Sequence, residues 1–480
     1  MTETTEEALA DEAGRRTEGW RALPLRLRPA LRRRLRRLAP ILLLASSTVL
    51  TGCAASTADW NFVPDADQAG ILSGDEMNDV IDAGFIARDP AYKEQRARFG
   101  QRLGALAASL AAIQTRGKTM ACSTQMYLEA DWLHDYTMDW ARLDRQLAEL
   151  AQSLTNLDQS FANRQSPGTG LWGVCYDEWF LQTEATLSAL EDRLDESWQP
   201  SLLYPIRVPE KIDTPEKMKA YLRGLLVSDI ARTGRDNRGE LGNVTTIFSS
   251  VFFKGYLREY VRGAVGRRHD DESDRSSGLF QAAYEDFLDR WQDPRTGYWG
   301  AWYRSDGRLY KSVDLSITYH TIAYRHGQVA YWPQIIDTTL RIRNDPYPFG
   351  WLHRGHLNNH NNYDVARILK YGWPHMSDSQ KREAGDAIGE MLAWTLTESL
   401  DPDGSFKTDP TFFSSVSADY YFGVSFLDEI GFWNPAERFW TQSEFPDSAA
   451  VCRRIKARLA DFKSPDPQVR VALEKLNAAC

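Results

Sequence analysis

The sequence predicts an all-α protein: a helical region over residues 91–200, then over residues 215–480 a ring or arc of stacked helical hairpins. Three observations carry that expectation. Apolar residues recur at three- and four-residue steps in "RARFGQRLGALAASLAAIQT" and "WARLDRQLAELAQSLTNLDQSF", the period of a helix with one buried face. Three segments, "DPRTGYW" from Asp293, "DPYPFGW" from Asp345 and "DPDGSF" from Asp401, place Gly297, Gly350 and Gly404 at steps of 53 and 54 residues. No strand-rich block is visible, and the most β-like stretch, "NVTTIFSSVFFKGYL", reads equally as a buried helix.

Each element follows in order. The N-terminal helices are interrupted by "SPGTGLWGVCYDEW", resume in "TEATLSALEDRLDESW", and end at "QPSLLYPIRVPEKIDTPEK", where clustered prolines mark a connector. In the second half, Asp-Pro and glycine are turn formers, so the repeated segments are expected as loops entering helices. Asp314, Asp364 and Asp419 follow the three glycines by 17, 14 and 15 residues, each beside aromatic residues near the start of a helix. A period of that length holds two helices and two connections. A hairpin that cannot bury its own face must stack on the next.

Composition bounds the function. The chain has 480 residues, 42% of them hydrophobic and 26% charged, with a formal net charge of -9. That balance argues against nucleic acid as a partner, because a basic face is needed to displace counterions from phosphate. Sixteen Trp, 20 Tyr and 20 Phe suit cyclic, partly apolar ligands such as sugars, and suit a large core equally well.

The N-terminus is the most specific segment. "RALPLRLRPALRRRLRRLAP" is strongly cationic, "ILLLASSTVL" is apolar but too short to span a bilayer, and Leu50-Thr51-Gly52-Cys53 closes it. This order resembles the signal and lipobox of bacterial lipoproteins; the acidic leader "MTETTEEALADEAG" departs from their pattern. The resemblance, confined to about the first 55 residues, implies removal of a signal peptide over 1–52, lipid (diacylglycerol and a fatty acid such as palmitate) on Cys53, and a tether over 53–90. It implies anchoring in the cell envelope. Ala54 after the cysteine, where an aspartate would favour inner-membrane retention, points to the outer membrane, facing the periplasm.

Cysteine usage agrees with export. Beyond Cys53 the chain holds Cys122, Cys175, Cys452 and Cys480, an even number suited to an oxidising compartment. Of the three possible pairings, Cys122 with Cys175 and Cys452 with Cys480 is favoured, since each pair lies within one region. No CxxC spacing for a zinc site is present.

Over residues 215 to 445, hairpins punctuated by turns such as "DPRTGYWGAWY" and "DPDGSF" resemble the α/α-toroids shared by glycoside hydrolases, polysaccharide lyases and terpene cyclases. That architecture hosts unrelated chemistries. "DGSF" is similar to turns of the terpene-cyclase branch, but no "DxDD" segment supplies that branch's ionising acid.

The candidate site lies in "GHLNNHNNYDVARILKYGW", residues 355–373. His320, His326, His353, His356, His360 and His375, six of the eight histidines, fall within 56 residues. On a helix, His360, Asp364 and Arg367 share a face, flanked by Asn359 and Tyr363. Asn358 and Asn359 could cap that helix, which explains one or two of these groups but not the surplus. If the inner helix ends converge, Asp314, His320, Asn359, His360, Tyr363, Asp364 and Asp419 form one catalytic mouth. A hydrolase would take its acid and base from Asp314, Asp364, Asp409 and Asp419. A lyase would use Asn and His to neutralise a uronate and Tyr or His to remove a proton. A third reading makes His320, His360 and Asp364 metal ligands; no metal or other cofactor is expected on the preferred reading. Trp299, Trp302, Tyr303, Trp351, His356 and Arg367 are the expected sugar-binding residues. The expected activity is cleavage of a poly- or oligosaccharide; the alternative is a non-catalytic envelope lipoprotein that binds glycan or a protein partner.

Overall fold

The computed structural model of the chain describes residues 62–115, 121–155, 168, 170–171, 204, 206–249, 273–353, 356–409, 415–462 and 467–480. Cys53, the signal segment and Cys175 lie outside them. As expected, the described chain is mostly helical; it also carries one small four-stranded sheet that the sequence reading did not anticipate. No helix among the described residues is long and apolar enough to cross a membrane.

The tether reading of 53–90 is also corrected for its described part. Ser73 opens helix α1 (Gly74–Arg88) with a capping box to Glu76, and Met77, Ile81 and Phe85 recur at four-residue steps. Met77 and Phe85 are fully buried in the main core, as Val63 and Ala69 are nearly so. The short small-residue run before the helix masked an amphipathic period.

Helices α2 (Tyr92–Thr115), α3 (Ala121–Tyr136) and α4 (Trp140–Thr155) form a bundle with its own core of Phe99, Leu103, Leu110, Leu133, Leu143, Leu147 and Leu150. Thr214 caps α5 (Pro215–Leu225), whose first position is the proline. Then come α6 (Arg238–Ile247), the described part of the β-like "NVTTIFSS" stretch, and α7 (Ser273–Trp291).

Strands β1 (Gly70–Ile71), β2 (Val227–Ser228), β3 (Trp302–Ser305) and β4 (Arg308–Lys311) pair in the order β1-β4-β3-β2. The antiparallel hairpin β3–β4 turns at Asp306 and Gly307, both at positive φ, the Asp-Gly pair that a tight hairpin turn requires. The other two pairings are parallel.

Helices α8 (Leu315–Tyr324), α9 (Trp332–Arg341), α10 (His360–Gly372), α11 (Asp378–Trp394) and α12 (Val416–Glu429) complete the repeats, and α13 (Ser448–Ala460) and α14 (Pro467–Ala479) end the chain. α6, α8, α10 and α12 pack in a row, each on the next, while α9 and α11 pack outside them. Every residue of α8 is buried, as expected of a helix enclosed on all sides. The bundle bridges the row's ends: α3 touches α6 and α2 touches α12. A disulfide joins Cys452 to Cys480 and so fastens α14, which packs on α12, to α13.

Candidate functional site

The asparagine-histidine stretch opens α10, and its polar groups are spent joining repeats. Asn358 accepts from the His360 amide at 2.8 Å and donates to Asp419 of α12 at 3.0 Å. Asn359 is the residue before the helix but makes no side-chain cap; it donates to Ser399 at 2.8 Å and accepts from Thr395 at 2.6 Å, both just past α11. Asn362 donates to Asn359 at 3.0 Å and accepts from His353 at 2.9 Å. The capping expectation for Asn359 is thus corrected. One residue caps; the others bind the α10 start to its neighbours on either side.

The predicted catalytic carboxylates are each buried in this layer. Asp314 caps α8 through the Ile317 amide and takes a two-pronged ion pair from Arg238. Asp364 lies 3.6 Å from His360, and neither is exposed at all. Burial pushes the Asp419 carboxyl well above its usual range, against the opposing bonds from Thr408 and Asn358. His320, His360 and Tyr363 belong to an aromatic stack with Tyr319, Tyr324 and Phe422. Among the described residues no group of three His, Cys, Asp or Glu gathers to hold a metal ion, so the ligand set His320, His360 and Asp364 is not assembled.

The aromatic platforms require a similar correction. Trp299, Trp302, Tyr303 and Trp351 are at most 5% exposed, so none offers a ring face to a sugar. Three of the four bond their polar tips inward: Trp299 to the Leu288 carbonyl, Trp351 to the Thr339 carbonyl and Tyr303 to Asp236. Arg367, half-buried, donates to Tyr363 and pairs with Glu429.

His356 alone of the predicted residues lines a cleft of about 650 Å³ between the bundle and the helical row. Its roof comes from α1, α2 and α3, with Asp82, Arg96, Asp131, His134 and Asp135. Its floor comes from the start of α6, with Asp236 and Arg238, and from Tyr347-Pro348-Phe349. Gly239 lets the two surfaces meet, since a Cβ there would stand 2.5 Å from the Tyr136 ring. The predicted residues form the layer beneath: Asp314 holds Arg238, and His360 packs on Tyr347 with ring centres 5.1 Å apart.

Asp131, His134 and Asp135 sit on one face of α3, by their spacing. His134 contacts the Asp135 carboxylate through Nδ1 at 2.9 Å and the Arg96 carbonyl through Nε2 at 3.0 Å. Both partners are acceptors, so both ring nitrogens carry protons and the ring is a cation. Burial opposes that charge, but the bond to Asp135 and its charge outweigh it and hold the His134 pKa above 6.5.

The two carboxyls are pushed apart. Burial, then the negative charge of Asp135, drives Asp131 well above the carboxylate range. For Asp135 burial acts upward too, but His134 and Arg96, the latter at 3.5 Å, bring it below the usual value. Asp131 is 7% exposed and its Oδ2 has no hydrogen-bond partner among the described residues. Two carboxyls one helical turn apart in one cleft, one pushed up and the other held down by its neighbours, are the kind of pair that acid–base chemistry uses. Sequence reasoning missed them because α3 and α6 meet only in the fold. The local signal was the pair of carboxylates flanking a histidine in "EADWLHDY". Comparisons of the chain with protein-family models, curated proteins and solved structures gave no match in any of the three.

Proposed function

We propose that this protein is an exported lipoprotein that cleaves a poly- or oligosaccharide in the cleft between the bundle and the helical row. The placement of Asp131 and Asp135 together in the cleft, with their carboxyls shifted in opposite directions, supports this most directly. Asp131 is the general acid, Asp135 the general base, and His134 with Arg96 keeps Asp135 ionised. A cavity of about 650 Å³ has the size of a site for a few sugar units. Catalysis is therefore assigned to Asp131 and Asp135 in place of Asp314, Asp364 and Asp419, which support the floor. The row of α6, α8, α10 and α12 with outer helices is read as part of an α/α-toroid, supported by the order in which these helices pack.

The test is a panel of polysaccharides incubated with the full chain in detergent, reading new reducing ends. Asp131→Asn should lower turnover by roughly 10² to 10⁴ with the melting transition kept. A panel that yields nothing would favour the binding lipoprotein instead. Attachment is tested separately at Cys53, where Cys53→Ser removes the thiol that accepts lipid. Metabolic labelling with a fatty acid should mark the parent and miss the variant; equal labelling would end the lipoprotein reading.

A further inference from the structure

The charge pattern of the cleft selects among sugars, a step that rests on the reading that the cleft takes a glycan. Its cations, Arg238 buried and Arg96 partly exposed, are committed within the protein. Arg238 holds Asp314 with two nitrogens and Tyr136 with a third, at 2.7 Å. Arg96 donates to Tyr92 at 2.7 Å and pairs with Asp135 and Asp82. His134 has both ring nitrogens engaged, and His356, the other imidazole of the cleft, meets the Asp409 carboxylate through Nδ1 at 3.3 Å. At the rim, Lys93 pairs with Asp82 at 3.4 Å.

Asp131 is the opposite case: nine-tenths buried, lining the cleft, with one oxygen lacking a hydrogen-bond partner among the described residues. A buried polar atom left so is costly unless something from outside satisfies it. A sugar hydroxyl or glycosidic oxygen does so by receiving the acid proton or donating its own. A carboxylate or sulfate would face Asp131, Asp135 and Asp82 with no uncommitted buried cation, among the described residues, to meet it.

We infer that the glycan accepted by this cleft carries no acidic groups and that its cleavage is hydrolytic. The bond between the anomeric carbon and the bridging oxygen breaks as Asp131 gives that oxygen its proton. A water oxygen bonds to the anomeric carbon and passes a proton to Asp135. One water is consumed, one new reducing end appears, and proton exchange with solvent restores both carboxyls. Elimination would need a cation on the uronate carboxylate beside the departing proton, and among the described residues each arginine and histidine lining the cleft already meets a carboxylate of the protein.

The experiment offers the full chain in detergent two sets of probes: neutral short oligosaccharides of glucose, xylose and N-acetylglucosamine, and the uronates alginate and polygalacturonate. Reducing ends and ultraviolet absorbance of unsaturated products are read together. The expected result is reducing ends from a neutral probe, lost by about 10²-fold or more in Asp131→Asn, and no product from either uronate. Products from a uronate, saturated or unsaturated, would overturn this inference and leave glycan cleavage standing. No product from either set would overturn both.

Discussion

Arg238 grips Asp314 with two prongs, Nε to Oδ2 at 2.7 Å and Nη2 to Oδ1 at 3.2 Å, and neither side chain reaches solvent appreciably. The pair ties α6 to α8 across 76 residues of sequence, while the third guanidinium nitrogen holds Tyr136 at the end of α3. One arginine thus joins the cleft floor to the cleft roof. The Asp314 carboxylate also caps α8.

Asp314→Asn keeps an oxygen for the cap but leaves Arg238 buried without its counter-charge. Breaking a buried pair in this way costs about 3–5 kcal/mol, well beyond the loss of a cap. Chemical denaturation should show that fall in unfolding free energy. Replacing both partners by apolar residues, as in Arg238→Met with Asp314→Leu, should recover part of it. A single-variant loss under about 1 kcal/mol would mean the pair is solvated enough to be a surface bridge.

How much of this was legible follows from the range over which each signal acts. Helical periods are local, and α2, α4, α8, α10 and α12 lie where the spacing puts them. The histidine and asparagine crowding at 353–362 is local too, but its meaning depended on burial. In the fold those groups face other repeats, Asn358 to Asp419 and Asn359 to Thr395. The β3–β4 hairpin was written in "WYRSDGRLYK", where Asp-Gly separates two β-prone runs, and the helical neighbourhood obscured it. The cleft had no such signal. Asp131 and Arg238 stand more than a hundred residues apart, and no spacing rule links them.

His134 makes stability depend on pH. Its folded pKa is raised above 6.5, so the folded state binds the proton more tightly than the unfolded chain. That contribution is fully present below 6.5 and is lost as pH rises through the folded value. The unfolding free energy of the parent minus that of His134→Gln should therefore decline as pH rises above 6.5. Asp293 has the reverse sign: the bonds from Arg295 and the charge of Lys311 outweigh burial and hold it at about 2, so its contribution is lost as pH falls from 3.8 toward that value. A parent-minus-variant difference for His134 that is flat or rising with pH would contradict the cationic ring.

The Cys452–Cys480 bond closes a loop of sequence separation 28 and latches the last helix. A loop of that size contributes ~3–4 kcal/mol when treated as lost entropy of the unfolded chain. Cys452→Ala with Cys480→Ala should lower the melting temperature of the non-reduced protein, and reductant should lower the parent toward the same value. Coincident melting curves for parent and variant, both without reductant, would show that packing of α14 on α12 suffices.

Asp364 separates the two assignments of chemistry. It stands 3.6 Å from His360 with no exposed side-chain surface, and His360 in turn stacks on Phe422 with ring centres 4.1 Å apart. Neither lines the cleft, whereas Tyr347, which packs on His360, does. Asp364→Asn replaces a buried carboxyl beside an imidazole, so the expected loss is in the fold: about 1–3 kcal/mol of unfolding free energy, with turnover per folded molecule within about twofold of the parent. Asp131→Asn should do the opposite. Asp337, exposed on α9 and accepting from Gln380, serves as the control, and Asp337→Asn should change neither. Melting curves and turnover measured on the three variants together decide the matter. If Asp364→Asn keeps its melting transition and loses turnover by 10² or more, the reacting groups lie at the start of α10 and the cleft carboxyls are structural.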